Sequence, residues 1–494
     1  MNRQEKCDVI VVGGGSAAFE CAVSARQNGA KKVVMVEKAP PDEFGGNARF
    51  SHTGFRFAYN GPEDIRYLVP DVDDAEYERF HIPAYSPDLF MEDLNRVTRG
   101  RINQDLARFM VDQSASAVRW MHDTGIVFEP EKNIKLDGKY YFEPGIIVHT
   151  EGGGLGQLLR WREIALEMDV EIRYETRVTG FLGNFRRIEG IEVSSPDEDY
   201  EMVAPSTIVC SGGFQASSEM RARYLGPNAD LMRVRGSKHD TGEVLKMLID
   251  LGAKTSGHWQ GAHATPIDAD VPDGGVPLRE DGHTTGANRY DYTFGITVNN
   301  LCQRFYDEGE SNHSYTYAKT GAAVLAQPGS TAHQIYDQKG VALFRLGPEY
   351  TDNYDEAPTI AELAAKIGLQ PEVLVHTVNE YNAACRTDVP FDPSDLDGRC
   401  TTGLNPDKSN WADPIDRPPF RAYRITCGVT FSFGGIQIDT KSRVLDTGDN
   451  PIKGLFASGD VVGLFFHNYP SCTGQTRNAV FSRQAGQSAA ALSN

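Results

Sequence analysis

The spacing of apolar residues changes period twice within the first forty positions. Asp8 to Val12 is an apolar, β-branched run of the kind that fills a strand buried on both faces. After three glycines, Ala17, Ala18, Cys21, Ala22 and Ala25 recur at helical spacing, and their small side chains let a helix lie close to a sheet. A second apolar run, Lys32 to Val36, stops on Glu37. Residues 60–101 are acidic and contain prolines, which predicts an irregular excursion. Helical periodicity returns over 102–125 and again from about Leu155, behind the turn "EGGGLG". "VEIRYETRVTGF" and "RRIEGIEV" read as a strand and its hairpin partner, and "PSTIVCSGGF" as an apolar strand ending on Gly212-Gly213. From about Leu225 short strands mix with Gly, Pro and His, apart from one helical pair in "TIAELAAKIGLQPEVLVHTVNEYNAAC", where Pro371 opens the second helix. The strand-and-glycine pattern of the N-terminal unit resumes at "VTFSFGGIQID…GLFASGDVVG", and a last helix is expected from about Thr476.

The first unit carries chemistry. Gly13-Gly14-Gly15-Ser16-Ala17-Ala18 fits G-x-G-x-x-A between a strand and a helix, and Glu37 ends the next strand. Such a turn points backbone N–H groups and a helix N-terminus at a diphosphate, while the acid accepts hydrogen bonds from ribose hydroxyls. A glycine turn that merely packs helix on sheet would leave the acid unexplained. The expectation is a dinucleotide.

Bulk properties narrow the rest. At 494 residues the chain is long enough for two or three domains. Its net charge of −19 disfavours nucleic acid and anionic membrane. No stretch approaches the roughly 18 apolar residues of a membrane span, and MNRQEKCDVIVV lacks the apolar core of a signal peptide. The eight cysteines are scattered without a CxxC, which reads as reduced thiols in a cytoplasmic protein with no metal site.

Four stretches, "VVGGGSAA…VEK", "FGGNARFSHTGFRF", "VNNLCQRFYDEG" and "FSFGGIQID…GLFASGDVVG…FSRQAG", together resemble the FAD-dependent fumarate reductase/succinate dehydrogenase flavoprotein family. The resemblance spans nearly the whole chain. "GGNARFSHTGFRFAY" and "NYP" before "TG" look closest to its tricarballylate dehydrogenase-like and 3-ketosteroid dehydrogenase branch. It implies an α/β fold: a split Rossmann-like FAD-binding domain (1–224 and 426–494) with an inserted α+β substrate-capping domain (225–425). The cofactor implied is FAD. Expected to hold it are Gly13, Gly15, Ser16, Ala17, Ala18, Glu37 and Lys38; Gly45, Gly46, Asn47 and Arg49 along the flavin; Val178, Gly212 and Gly213; Gly459 and Asp460; and Gly474, Gln475 and Thr476 at a helix N-terminus near the flavin. Relatives with covalent flavin have a His where Ala48 stands, so the FAD is expected to be non-covalent; His52 lies four residues on.

What the resemblance implies for the reaction is hydride transfer at flavin N5, making or saturating a C=C bond next to a carbonyl or carboxyl group. In "WQGAHATPID", His263 matches the His of a substrate-binding His-Pro-Thr motif, with Ala264 replacing Pro. A second family His is replaced by Phe431, and the substrate Arg near the C-terminus by Tyr469. Fumarate carries two carboxylates and needs cations that Phe and Tyr cannot supply, which argues against fumarate as substrate. Tyr469 is the candidate for a hydrogen bond to a substrate oxygen. Glu308 matches a family acid that feeds a proton path, and with Arg304 it forms either that path or a plain ion pair. No clean match exists for the catalytic Arg of the inserted domain, for which only Lys339 and Arg345 lie nearby. Arg49, His52 and Arg56 are further candidates for an anionic substrate.

The expected activity is therefore an FAD-dependent CH–CH oxidoreductase working on a small organic substrate. An oxygen-using oxidase or hydroxylase and a redox-neutral flavoprotein isomerase stand as alternatives. No second nucleotide fingerprint occurs, so a separate electron donor or acceptor is expected.

Overall fold

The computed structural model describes residues 3–132, 134–136, 138–272, 287–344 and 353–493. Strand Val9–Val12 lies between Val33–Val36 and Ser206–Val209, all parallel and all buried, as their unbroken apolar sequences require. Pro451–Ala457 joins in parallel beyond Ser206–Val209, so both ends of the chain build one ten-stranded sheet.

The small residues of the first helix, Ser16–Gln27, have the role their spacing predicts. The helix packs on the C-terminal helix Thr473–Ser493, where Ser24 Oγ donates to the Arg483 carbonyl at 2.7 Å. A methyl on Gly486 would come within 2.5 Å of the Ser24 Cβ, so a larger residue there would force the two helices apart. The predicted helix over 102–125 is Gln104–Thr124, capped by Asn103 accepting from the Leu106 N–H at 3.1 Å and ended by Gly125 at φ 110°.

Several elements differ from the sequence reading: after Leu225 the helices Glu243–Asp250 and Tyr317–Leu325 join the single helical pair it expects. The supposedly irregular 60–101 contains a twelve-residue helix, Pro87–Thr98. Ser86 caps it, Pro87 takes the first helical position, and Phe90, Leu94 and Thr98 form its buried stripe. Pro87 and Asp88 are helix-start residues, which composition alone reads as loop.

A second, six-stranded sheet centres on the long strand Phe420–Ser432, flanked by Ala262–Asp268 and Thr331–Tyr336. The helices Ile360–Lys366 and Pro371–Ala384 pack beside it in a core of their own. Asn47 ties the two layers together. Its Nδ2 donates to the Thr430 carbonyl, and its Oδ1 accepts from the Ser237 N–H at 2.8 Å. Among the described residues no helix is long and apolar enough to cross a membrane.

Candidate active site

Two adjoining cavities lie between the layers. The first is walled by the glycine turn, by Glu37 and Lys38, and by the ends of the parallel strands. Gly13 sits at φ 121°, and a side chain there would collide with the Cys210 carbonyl. A methyl on Gly14 would come within 2.6 Å of Glu37 Oε2, so the glycine lets the acid close on the turn. Gly15 starts the first helix with no side-chain cap, leaving that terminus to a ligand. Glu37 Oε1 accepts from the Ala39 N–H at 2.7 Å, and burial pushes its carboxyl upward. A bare, glycine-lined helix start with a buried acid beside it fits a dinucleotide.

The second cavity shares Asn47, Ala48, Asp460 and Asn478 with the first. One part of its wall is aromatic, and the rest carries polar and charged groups that include Glu131, Glu143, Arg235 and Arg477. The His263 ring lies 5.2 Å from Phe431, 5.2 Å from Tyr469 and 4.9 Å from Tyr317, centroid to centroid. Tyr317 and Tyr469 join their hydroxyls at 2.8 Å. Burial, then the Tyr317 hydroxyl, pushes the Tyr469 phenol well up, so it stays protonated at neutral pH. Burial, then the charge of Arg235, pushes His263 well down, so its imidazole is neutral. Among the described residues its buried Nδ1 has no hydrogen-bond partner.

The predicted residues divide. Gly13, Gly15, Ser16, Ala17, Glu37, Lys38, Gly45, Gly46, Asn47, Val178, Gly212, Gly459 and Asp460 line the first cavity. Gly474, Gln475, His263 and Tyr469 line the second. Six others line neither, each for a visible reason. Ala18 is buried within the first helix, and Gly213 lies against Gln215 and Ser432. Thr476 Oγ1 donates to the Arg56 carbonyl at 2.6 Å, and Arg49 turns to the Phe44 carbonyl at 3.2 Å. Arg304 and Glu308 form a buried ion pair at 2.5 Å, and Glu308 also accepts from the Thr297 N–H at 2.8 Å. That saturated pair holds the inserted sheet together, away from both cavities.

The substrate cations fare unevenly. Arg56 is fully buried, donating to the Ser471 and Pro144 carbonyls, so it is structural. His52 lines the second cavity with Glu131 at 2.8 Å. Lys339 is held by Asp413 at 2.9 Å and Asp416 at 2.8 Å, and Arg345 lies outside the described residues.

Sequence reading passes over several wall residues. Arg477 pairs with Asp460, with its guanidinium over the Phe431 and Phe465 rings. Arg235 donates to Asn288 Oδ1 at 2.8 Å and Thr430 Oγ1 at 3.1 Å. Tyr317, Tyr290 and Asp240 come from scattered loops and helix starts with no local signature.

The whole arrangement is that of a two-layer flavoprotein, with a nucleotide cleft opening onto an aromatic chamber. The profile of the FAD binding domain family matches residues 8–475, and the chain belongs to that family. FAD is its cofactor, and it is an FAD-dependent oxidoreductase acting on CH–CH groups. It is 28% identical over 499 residues to the probable fumarate reductase Ifc3 of Shewanella frigidimarina, covering 98% of this chain and 75% of that one. It is 28% identical to the NADH:fumarate oxidoreductase of Klebsiella pneumoniae, covering 92% of this chain but 44% of that one. Of solved structures, the 3-ketosteroid delta1-dehydrogenase of Sterolibacterium denitrificans matches with a TM-score of 0.74 at 20% identity, over 99% of this chain and 100% of that one. The open conformation of a flavocytochrome c3 fumarate reductase matches with a TM-score of 0.71 at 24% identity, over 99% and 79%.

Proposed function

We propose that the chain dehydrogenates a CH–CH bond, or reduces a C=C bond, beside a carbonyl or carboxyl group of a small organic substrate held in the aromatic chamber. The observation that carries this reading is the opening of the Tyr317–Tyr469 chamber onto the glycine-lined cleft through Asn47, Ala48, Asp460 and Asn478. When bound, FAD supplies a donor or acceptor of hydride at one face of that chamber. The glycine turn and helix start hold the diphosphate, and Glu37 takes the ribose hydroxyls. Residues 225–425 cover the substrate.

Tyr469, kept as a phenol, donates a hydrogen bond to the substrate oxygen and polarises it. Tyr317 behind it holds the hydroxyl in position and relays a proton. Neutral His263 offers a hydrogen bond at its ring and no charge. Phe431, Tyr469 and a neutral His263 bring no charge to the chamber, Arg477 is paired with Asp460, and Arg235 is a wall cation for one anionic group, which suits a substrate with fewer charges than a dicarboxylate.

Ala48 offers no nucleophile to the flavin, so the FAD is held non-covalently. Electrons reach or leave it through a separate donor or acceptor. The eight cysteines are scattered along the sequence without a CxxC, which supports a reducing, cytoplasmic setting.

Anaerobic mixing with candidate carbonyl and carboxyl compounds tests the reading. Bleaching of the flavin absorbance, or reoxidation of the reduced flavin by an activated alkene, is the expected result. A flavin that no such compound bleaches and no activated alkene reoxidises, or a product of unchanged mass, would overturn it. Acid precipitation should leave the flavin in the supernatant.

A further inference from the structure

Four acids, Glu37, Asp240, Glu243 and Asp460, line the cleft that must receive a diphosphate. Three have their own arrangements, and Glu243 is paired with Lys38 at 3.4 Å and Arg177 at 2.6 Å. Asp460 is paired with Arg477, and Glu37 accepts from backbone N–H. Asp240 has neither.

Asp240 lies on the segment between strand Arg233–Val234 and helix Glu243–Asp250, and it is 7% exposed. Its Oδ2 accepts from Gln215 Nε2 at 2.9 Å. Its Oδ1 is wedged against two glycines of the cleft wall. Gly212, at φ 71°, could not carry a side chain without striking that oxygen, and a methyl on Gly46 would lie 3.7 Å from it. The carboxyl group thus fills the gap between two glycine loops that both face the nucleotide.

The charges around it do not compensate it. Among the described residues no ion pair to Asp240 forms. Lys38 turns its Nζ to Thr241 Oγ1 at 2.6 Å and to Glu243 at 3.4 Å. His239 turns to Glu43 at 2.7 Å, and Arg477 is taken by Asp460. An ionised Asp240 would face Glu37, Asp460 and the incoming diphosphate from inside the protein, where like charges repel strongly.

We propose that Asp240 meets the flavin nucleotide as a neutral carboxylic acid and donates a hydrogen bond to it. The inference rests on the reading that this glycine-lined cleft is where the nucleotide sits. Burial, followed by the charges of Asp460 and Glu37, pushes the Asp240 carboxyl up to about 8, with Lys38 and Gln215 pulling the other way. A bound diphosphate adds negative charge and moves it in the same upward direction. The proton that keeps this wall neutral is therefore also the one that makes it a donor.

The test is FAD retention by the holoenzyme, read as the fluorescence of released FAD between pH 6.5 and 9.5. Wild-type FAD affinity should be level near pH 7 and then fall, approaching about tenfold per pH unit once the proton is lost. Asp240→Asn keeps the shape and a donor, so it should hold FAD within about threefold of wild type at pH 7 and flatten the alkaline fall. Asp240→Ala should lose tenfold or more at pH 7 while the melting temperature of the FAD-free protein stays put. A wild-type affinity that is flat or rises with pH, or an Asp240→Asn variant as weak as Asp240→Ala, would show an anionic acceptor and overturn the proposal. If neither variant folds, the wild-type pH profile alone decides. Gly13→Ala separates the two readings, because it should lose FAD at every pH if the cleft assignment holds.

Discussion

The hydroxyls of Tyr317 and Tyr469 lie 2.8 Å apart, joining the start of a helix in the inserted layer to the loop before the C-terminal helix. Both phenols are buried and pushed upward, chiefly by loss of water, so the pair holds its protons at neutral pH. A protonated pair donates and relays. Tyr469→Phe should therefore lower kcat by about 10²- to 10³-fold, as loss of a positioned acid does, and Tyr317→Phe by less. The FAD content of both variants should match wild type. Stopped-flow flavin reduction and flavin absorbance after gel filtration check the two halves.

Gly45 sits at φ 114°, where a methyl would come within 2.5 Å of Leu158 Cδ1. Gly45→Ala adds backbone strain to that contact, and the turn carrying Asn47 must move. The expected outcome is FAD affinity reduced at least tenfold with the parallel sheet intact, measured by FAD titration alongside far-ultraviolet circular dichroism.

Glu308 and Arg304 are buried together, with side chains 0% and 5% exposed. Glu308→Gln leaves Arg304 without its charge partner. Stability should drop by about 3 kcal/mol, the usual cost of breaking one side of such a pair. Because the pair lines neither cavity, the rate of flavin reduction per folded molecule should stay within about twofold. A large kinetic loss without a stability loss would instead give Glu308 a part in proton transfer. Urea denaturation and single-turnover kinetics distinguish these.

Glu20 lies on the first helix, wholly buried, and burial pushes its carboxyl up to about 8, only partly offset by the Ser482 hydroxyl. The folded protein keeps this proton to about pH 8, whereas the unfolded chain releases it near the ordinary glutamate value of 4.5. Folding thus takes up a proton, and the contribution of this group to stability falls as pH rises across that window. Glu20→Gln should stabilise the protein by on the order of 3 kcal/mol at pH 8 and by little at pH 5. Thermal unfolding of both proteins at the two pH values measures the difference.

Much of the cofactor half is legible in the sequence because its signals are local. Gly13, Gly15 and Glu37 announce themselves through one strand–turn–helix–strand unit, and the strand at Pro451–Ala457 repeats its apolar character. Backbone geometry and periodicity determine such units within about thirty residues. The helix Pro87–Thr98 escapes a reading by composition because its cap and first-turn residues are also those of loops, and only its packing tells the two apart.

The chamber, by contrast, was decided by tertiary structure. The family resemblance names His263, Phe431 and Tyr469, but they come from separate segments, and their mutual contact and the part of Tyr317 arise only when those segments close together. Asp240 is an ordinary surface acid by sequence, and only its burial against Gly46 and Gly212 gives it an unusual proton. Arg304 and Glu308 show the converse: a suggestive spacing that folding turned into an internal ion pair. Local sequence fixes backbone conformation and which faces are apolar. Desolvation and the company of distant charges exist only once the layers have closed, and those set the chemistry of each side chain.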